Sequence, residues 1–316
     1  MISLSGKNFT LVYFELLTRA LESKERFSNS RIGSVKDLGP AFIEIQDDKF
    51  RMPLLKKRNF NPFFALAEFS WFILGSNSLE TLQHYINSYD NYSDDGITLN
   101  GAYGFRLREK FDVDQVEKAI HILREDKQTR RVVISMWSVE DLGSMSRDIP
   151  CNTSVMLKIR EGKLDMTVIN RSNDLFMGIP YNVTLFFLFQ CYMAKQIGCD
   201  IGYQRHFTDS LHLYETDLVK VGKIVNDNNV DDLKRMLETI DKVDLKKYVN
   251  IEHQHVIQRK YELIKDNVFN TFFMTYQQYK EKGNLEKAID FLYESDLGYC
   301  GYLWYSEQRK KTGPLK

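Results

Sequence analysis

Between Pro150 and Ile197 the chain runs from a stiffened cysteine through two alternating segments into a long apolar one, a succession that few architectures accommodate. Pro150 fixes its own φ and lacks an N–H, so Cys151 is delivered from a stiff turn. Thr153–Ile159 (TSVMLKI) and Leu164–Asn170 (LDMTVIN) read as strands joined by Arg160-Glu161-Gly162-Lys163, with glycine where a hairpin needs positive φ. Val183–Ile197 is interrupted by Gln190 and Lys195 and is too short to span a bilayer, so it reads as a buried core helix. The hairpin carries Asn170-Arg171-Ser172 back beside Cys151. The expected fold is mixed α/β (α+β): a twisted, mostly antiparallel sheet flanked by helices.

The flanking segments fit this frame. Asn8–Glu22 has apolar residues at helical spacing, Ala41–Ile45 reads as a short strand after Gly39-Pro40, and Asp47-Asp48 reads as its turn. Asn61–Leu74 is a helix with Pro62 near its start and an almost wholly apolar surface around one carboxylate, Glu68. A buried Glu is costly unless it is paired or used, so Glu68 is either a satisfied core carboxylate or a functional one. Tyr85, Tyr89 and Tyr92 form a cluster that either stacks on a flat heterocycle or caps the core. Val113–Glu125 reads as an amphipathic helix, Arg131–Trp137 as a strand, and Tyr203–Tyr214 as a strand with His212 and Tyr214 on one face. From Thr216 onward polar, charge-rich helices dominate, which divides the chain into a catalytic domain at 1–215 and a helical extension at 216–316 packed on it.

Forty-three basic side chains balance forty-three acidic ones, which argues against a broad nucleic-acid surface while leaving room for a local phosphate pocket. The four cysteines show no CxxC pairing and the N-terminus has no basic stretch followed by a sustained apolar run. A cytoplasmic, reducing setting without a signal peptide or membrane anchor is the expectation.

The chemistry concentrates around Cys151. A nearby cation lowers a thiol's pKa, and Arg171 is placed to supply it. Arg171 with Ser172 also suits a phosphate, through bidentate and hydroxyl donors. Gly178-Ile179-Pro180-Tyr181-Asn182 leads into the apolar helix and puts Asn182 in or near its first turn. An amide there has one acceptor and two donors with which to read a pyrimidine edge; one orientation suits uracil and the other cytosine.

Pro150-Cys151, Asn170-Arg171-Ser172-Asn173-Asp174, Gly178-Ile179-Pro180-Tyr181-Asn182 and Asp209-Ser210-Leu211-His212-Leu213-Tyr214 resemble, in order and spacing, the thymidylate synthase superfamily, which includes the pyrimidine-nucleotide hydroxymethylases. The likeness runs from about Arg31 to Tyr214. Arg31-Ile32-Gly33 resembles the family's phosphate loop, Glu68 its catalytic glutamate, and Asn100-Gly101-Ala102-Tyr103-Gly104 its active-site tyrosine segment. Arg130-Arg131 resembles the arginine pair donated across a homodimer interface.

The resemblance implies folate-dependent one-carbon transfer to C5 of a pyrimidine nucleotide monophosphate. Cys151 would be the nucleophile, Glu68 and Tyr103 would assist proton transfers, and Asn182 would read the base. Arg31, Arg130, Arg131, Arg171 and Ser172 would hold the phosphate, with Asn170 lining the nucleotide site and His212 with Tyr214 on the sugar hydroxyl. 5,10-Methylenetetrahydrofolate would be the co-substrate, with Asp174 on the pterin and Gly178, Tyr181, Tyr89 and Tyr92 beside it; no metal is needed. Three departures lean away from thymidylate synthesis. Tyr89 and Tyr92 stand where the family has tryptophans, Asn152 replaces the histidine after the nucleophile, and EQRKKTGPLK does not resemble the folate-closing tail. The expected activity is dUMP 5-hydroxymethylation. The alternatives are thymidylate synthesis, dCMP or CMP hydroxymethylation, and an inert nucleotide-binding or interaction module.

Overall fold

The computed structural model describes residues 1–24, 27–31, 33–46, 49–282 and 295–312, with no side chains described at 282, 311 and 312. The expected Asp47-Asp48 turn, Ile32 of the phosphate loop and the final four residues lie outside that part. Seven strands form one sheet: β1 (Ile2–Gly6), β2 (Phe27–Ser30), β3 (Gly33–Ile45), β4 (Val132–Ser135), β5 (Asn152–Arg160), β6 (Lys163–Asp174) and β7 (Asp200–Tyr214). The order is β1-β3-β7-β6-β5-β4, with β2 paired to the first half of β3. Four pairings are antiparallel, while β1–β3 and β6–β7 are parallel.

The β5–β6 hairpin forms where the alternation places it. Its turn residues Glu161 and Gly162 both have positive φ, 52° and 75°, the geometry that matches strand twist in a two-residue loop. Val155, Leu157 and Ile159 are buried, whereas Met156 and Lys158 point the other way and are exposed. The parallel β6–β7 pair requires a crossover, which is the apolar helix. That helix begins earlier than its hydrophobic run implied, because Gly178 and Pro180 are already helical.

The helices are α1 (Phe9–Glu22), α2 (Pro62–Ile73), α3 (Leu79–Gln83), α4 (Tyr103–Arg108), α5 (Gln115–Glu125) and α6 (Gly178–Ile197). Asn8 Oδ1 caps α1 by accepting from Thr10 N–H at 2.8 Å, and Asn61 Oδ1 caps α2 by accepting from Phe64 N–H at 3.0 Å. Every residue of α2 is buried except Glu68, which keeps part of its surface open. No helix among the described residues is long and apolar enough to cross a membrane.

Beyond β7 come α7 (Leu218–Asp227), α8 (Val230–Thr239), a 3-10 turn at Leu245–Asn250, α9 (His253–Ile257), α10 (Asn267–Lys282) and α11 (Asp296–Thr312). The reading of this region as mainly polar is corrected by its packing. Phe269, Phe272, Phe273 and Tyr276 share one face of α10 at helical spacing and are buried. Phe63 of α2 meets Phe272 at 4.2 Å, Tyr276 at 5.0 Å and Trp304 of α11 at 5.5 Å between ring centroids.

Gly104 sits where α4 crosses the end of α2; a Cβ there would lie 2.0 Å from the Phe72 carbonyl oxygen, a backbone atom with nowhere to go. A Cβ on Gly222 in α7 would meet nothing within 4 Å. Gly104→Ala should therefore cost about 3 kcal/mol through overpacking, whereas Gly222→Ala should add about 0.5–1 kcal/mol through helix propensity. Urea unfolding of the two variants checks both signs.

Candidate active site

Cys151 closes the open end of the β5–β6 hairpin. Its carbonyl accepts from Arg171 N–H at 3.0 Å, and the neighbouring Asn152 and Asn170 are register partners. The Arg171 guanidinium bridges the cysteine loop: Nε donates to Pro150 O at 3.0 Å, and Nη2 donates to Ile149 O at 3.1 Å and faces Cys151 Sγ at 3.7 Å. Its Nη1 donates to none of the described residues, which leaves a donor for an anion. The Trp137 ring backs the same guanidinium at 5.7 Å.

The expected lowering of the Cys151 pKa is corrected. Arg171 and Arg31 pull it down, but burial outweighs them and Asp148 and Asp174 add negative potential, so the thiol lies above its ordinary value. Arg31 reaches the same loop, donating to Ser146 O at 3.2 Å and to Arg147 O.

Around the thiol runs a chain of amides. Asn152 Nδ2 lies 3.5 Å from Asn182 Oδ1, and Asn182 Nδ2 donates to Asn173 Oδ1 at 3.1 Å. Asn170 Nδ2 donates to Phe207 O at 3.1 Å. Asn152 Oδ1, Asn170 Oδ1 and Asn173 Nδ2 are buried and find no hydrogen-bond partner among the described residues. Buried polar groups are normally satisfied, so these atoms mark a place for a polar ligand. Gly178 is part of this arrangement, because a Cβ there would come 2.3 Å from Asn173 Oδ1.

Glu68 Oε2 is shielded and likewise unpartnered among the described residues. Burial pushes its carboxyl up to about 8. Tyr103 lies beside Asn152, and burial with the charges of Cys151 and Asp148 raises its hydroxyl well above the ordinary range. The Tyr89 and Tyr92 rings meet at 5.8 Å, tilted 57° to each other, and Tyr92 is 41% exposed. Ser172 Oγ lies 3.3 Å from His212 Nδ1, and the His212 and Tyr214 rings meet at 5.4 Å. Asp174 Oδ1 accepts from Phe176 N–H at 2.7 Å and Met177 N–H at 3.1 Å, anchoring the approach to α6.

Two groups of expected site residues stand apart. Tyr181 is buried against Phe60 at 4.6 Å, and its hydroxyl accepts from Asn61 N–H at 3.0 Å, at the start of α2. Arg130 and Arg131 are exposed just before β4, whose register pairs Val132 with Leu157 and Ser135 with Ser154; they lie at the end of β4 remote from Cys151. Trp137, Asn173 and Asp148 went unassigned in the sequence. Asn173 lay inside a quoted motif; Asp148 stands three residues before Cys151 and is tied down by Gly101, 47 residues away, whose N–H donates to Asp148 Oδ2 at 2.6 Å.

The thymidylate synthase family model matches residues 12–280, carrying the likeness past Tyr214 through most of α10. The chain is 41% identical over 173 residues to a protein named deoxyuridylate hydroxymethyltransferase from Pseudomonas phage M6, covering 54% of this chain and 49% of that one. It is 32% identical over 230 residues to a protein of the same name from Bacillus phage SP01, covering 69% of this chain and 60% of that one. The chain thus spans between half and three fifths of the length of these relatives.

The raised Glu68 pKa has a signed consequence. The folded state holds the proton from about 4.5 to about 8 while the unfolded chain releases it, so stability present at low pH is lost as pH rises through that window. A tenfold difference in proton affinity between the two states corresponds to about 1.4 kcal/mol. Glu68→Gln should flatten the fall in stability between pH 5 and 8 relative to the unaltered chain, as measured by urea midpoints at several pH values.

Proposed function

The chain belongs to the thymidylate synthase family, and from that membership we propose that it attaches a one-carbon unit to C5 of dUMP and leaves it as a hydroxymethyl group. The observation that carries the reading is Cys151 facing Arg171 at 3.7 Å among buried amide atoms that find no partner among the described residues. Binding alone would require no thiol there.

C5 of uracil is a poor nucleophile until the C5–C6 bond is saturated, which addition of the Cys151 thiolate to C6 accomplishes. That addition drives charge toward O4, where the Asn182 amide and the protonated Glu68 carboxyl can donate. Arg171 Nη1, Ser172 and Arg31 suit the phosphate, and His212 with Tyr214 the sugar hydroxyl. The Tyr89 and Tyr92 rings and the Asp174 carboxylate fit a pterin and its amino group. Methylenetetrahydrofolate bound there would supply carbon at the oxidation level of formaldehyde.

Hydroxymethylation is favoured over methylation because a hydride must be kept from water. Tyr92 is 41% exposed, and Asn152 offers water an amide where the family has histidine. The relatives' names point the same way. The face of the sheet turned away from the helices exposes Val133, Met156 and Tyr203. We assign that face to a homodimer in which Arg130 and Arg131 of one protomer reach the partner's phosphate site. Tyr248, Phe272, Tyr276 and Trp304 of the C-terminal region serve as backing for α2, and the four free cysteines suit a reducing cytoplasm.

Mass analysis after incubation with dUMP and methylenetetrahydrofolate should show hydroxymethyl-dUMP with tetrahydrofolate; a methylated nucleotide with dihydrofolate would refute the assignment. Cys151→Ser should abolish turnover and leave dUMP binding within a few-fold, because an alcohol is far less ionised than a thiol. Calorimetry should find dUMP bound roughly tenfold or more tightly than dCMP, since an unmatched buried donor or acceptor costs about 1–3 kcal/mol.

A further inference from the structure

Hydroxymethylation requires water to give up a proton beside C5, and we propose that Asp148 is the catalytic base that takes it. The inference rests on the functional reading above and adds a residue to it. Asp148 opens the loop that carries Cys151, and three hydrogen bonds hold it. Its N–H donates to Ser146 Oγ at 3.1 Å, its carbonyl accepts from Asn100 Nδ2 at 3.0 Å, and Oδ2 accepts from Gly101 N–H at 2.6 Å. Gly101 has no room for a side chain, because its Cβ would lie 2.6 Å from Asp148 Oδ1. Oδ1 itself receives no hydrogen bond from the described residues, so one oxygen is anchored and the other is left for a ligand or water.

Asp148 lies three residues before Cys151, and its bond to Gly101 ties it to the segment that carries Tyr103 two residues on. Burial raises Cys151, Tyr89, Tyr92 and Tyr103, and the charge of Asp148 adds to the rise in each. The other candidate bases there are less suited. Glu68 holds its proton up to about 8 and is therefore a donor near neutrality. Asp174 is assigned to the pterin amino group and anchors the approach to α6, and Tyr103 is neutral with a strongly raised hydroxyl. Burial leaves Asp148 above its ordinary value, with Gly101 N–H, Arg106 and Arg31 opposing the rise and Asp94 adding to it.

The step balances. With the one-carbon unit on C5 as an exocyclic methylene and Cys151 still bonded to C6, the water oxygen forms a bond to the methylene carbon. One water proton passes to Asp148, and the C5–methylene π pair moves into the ring toward O4. That pair then forms the C5–C6 double bond as the C6–S bond breaks and Cys151 leaves as thiolate. Asp148 returns its proton to solvent.

The test uses Asp148→Asn, whose amide oxygen can still accept from Gly101. Two readouts need no folate: dUMP affinity by calorimetry, and exchange of the C5 hydrogen of dUMP for deuterium. Both should stay within about threefold of the unaltered chain, while hydroxymethyl product falls by about 10²- to 10³-fold. Asp148→Glu, which restores a carboxylate one methylene further out, should recover part of that loss, and it stands in if the Asn variant does not bind dUMP. Product formed at the original rate by Asp148→Asn would overturn the proposal, as would a parallel loss of C5 exchange, which would place Asp148 in an earlier step. Methylated nucleotide from the unaltered chain would instead overturn the functional reading, a separate result.

Discussion

Arg171 ties the cysteine loop to the sheet. Its backbone N–H and two guanidinium donors hold three successive carbonyls, those of Ile149, Pro150 and Cys151, so the loop cannot move without breaking charge-assisted bonds. Hydrogen bonds to charged groups contribute about 1.5–3 kcal/mol each. The same guanidinium faces the thiol, but it does not win the electrostatic contest there, since burial keeps the thiol above its ordinary value. Arg171 acts first as the clamp on the loop that carries Cys151 and only second as a charge that pulls the thiol's pKa down.

The opposite wall depends on α2. A helix buried along nearly its whole length must be covered on every side, and the C-terminal helices complete that cover. Ser70 Oγ, two residues past Glu68, meets Tyr248 Oη at 2.9 Å and His253 Nδ1 at 3.0 Å. Burial lowers His253 to about 4, so near neutrality this contact links uncharged groups. With the Phe63 contacts to Phe272 and Trp304, these bonds fix the helix that carries Glu68. Its Oε2 is shielded there, and burial pushes the carboxyl up to about 8.

A large part of the fold was legible because its causes are local. Asn8 and Asn61 announce helix starts through side chains that cap within three residues, and Glu161-Gly162 announces a turn through its backbone preference. Even the aromatic face of α10 was written at helical spacing, although the surrounding charges obscured it. The motifs from Pro150 to Tyr214 pointed to Cys151, Arg171, Asn182 and His212, and the chain brings those residues to the ends of β5, β6 and β7 and the start of α6.

Local sequence carried the β5–β6 hairpin and the helices α1, α2, α5 and α6, the placing of a cation beside Cys151, and the family, because each rests on residues close together or on motifs in fixed order. The balance at Cys151, the inward turn of Tyr181 and the place of Asp148 came from long-range packing. A pKa depends on how much water is excluded and on every charge nearby, and neither quantity has a sequence period. Asp148 and Gly101 meet because two loops 47 residues apart cross at the mouth of the site, a contact that no local preference encodes.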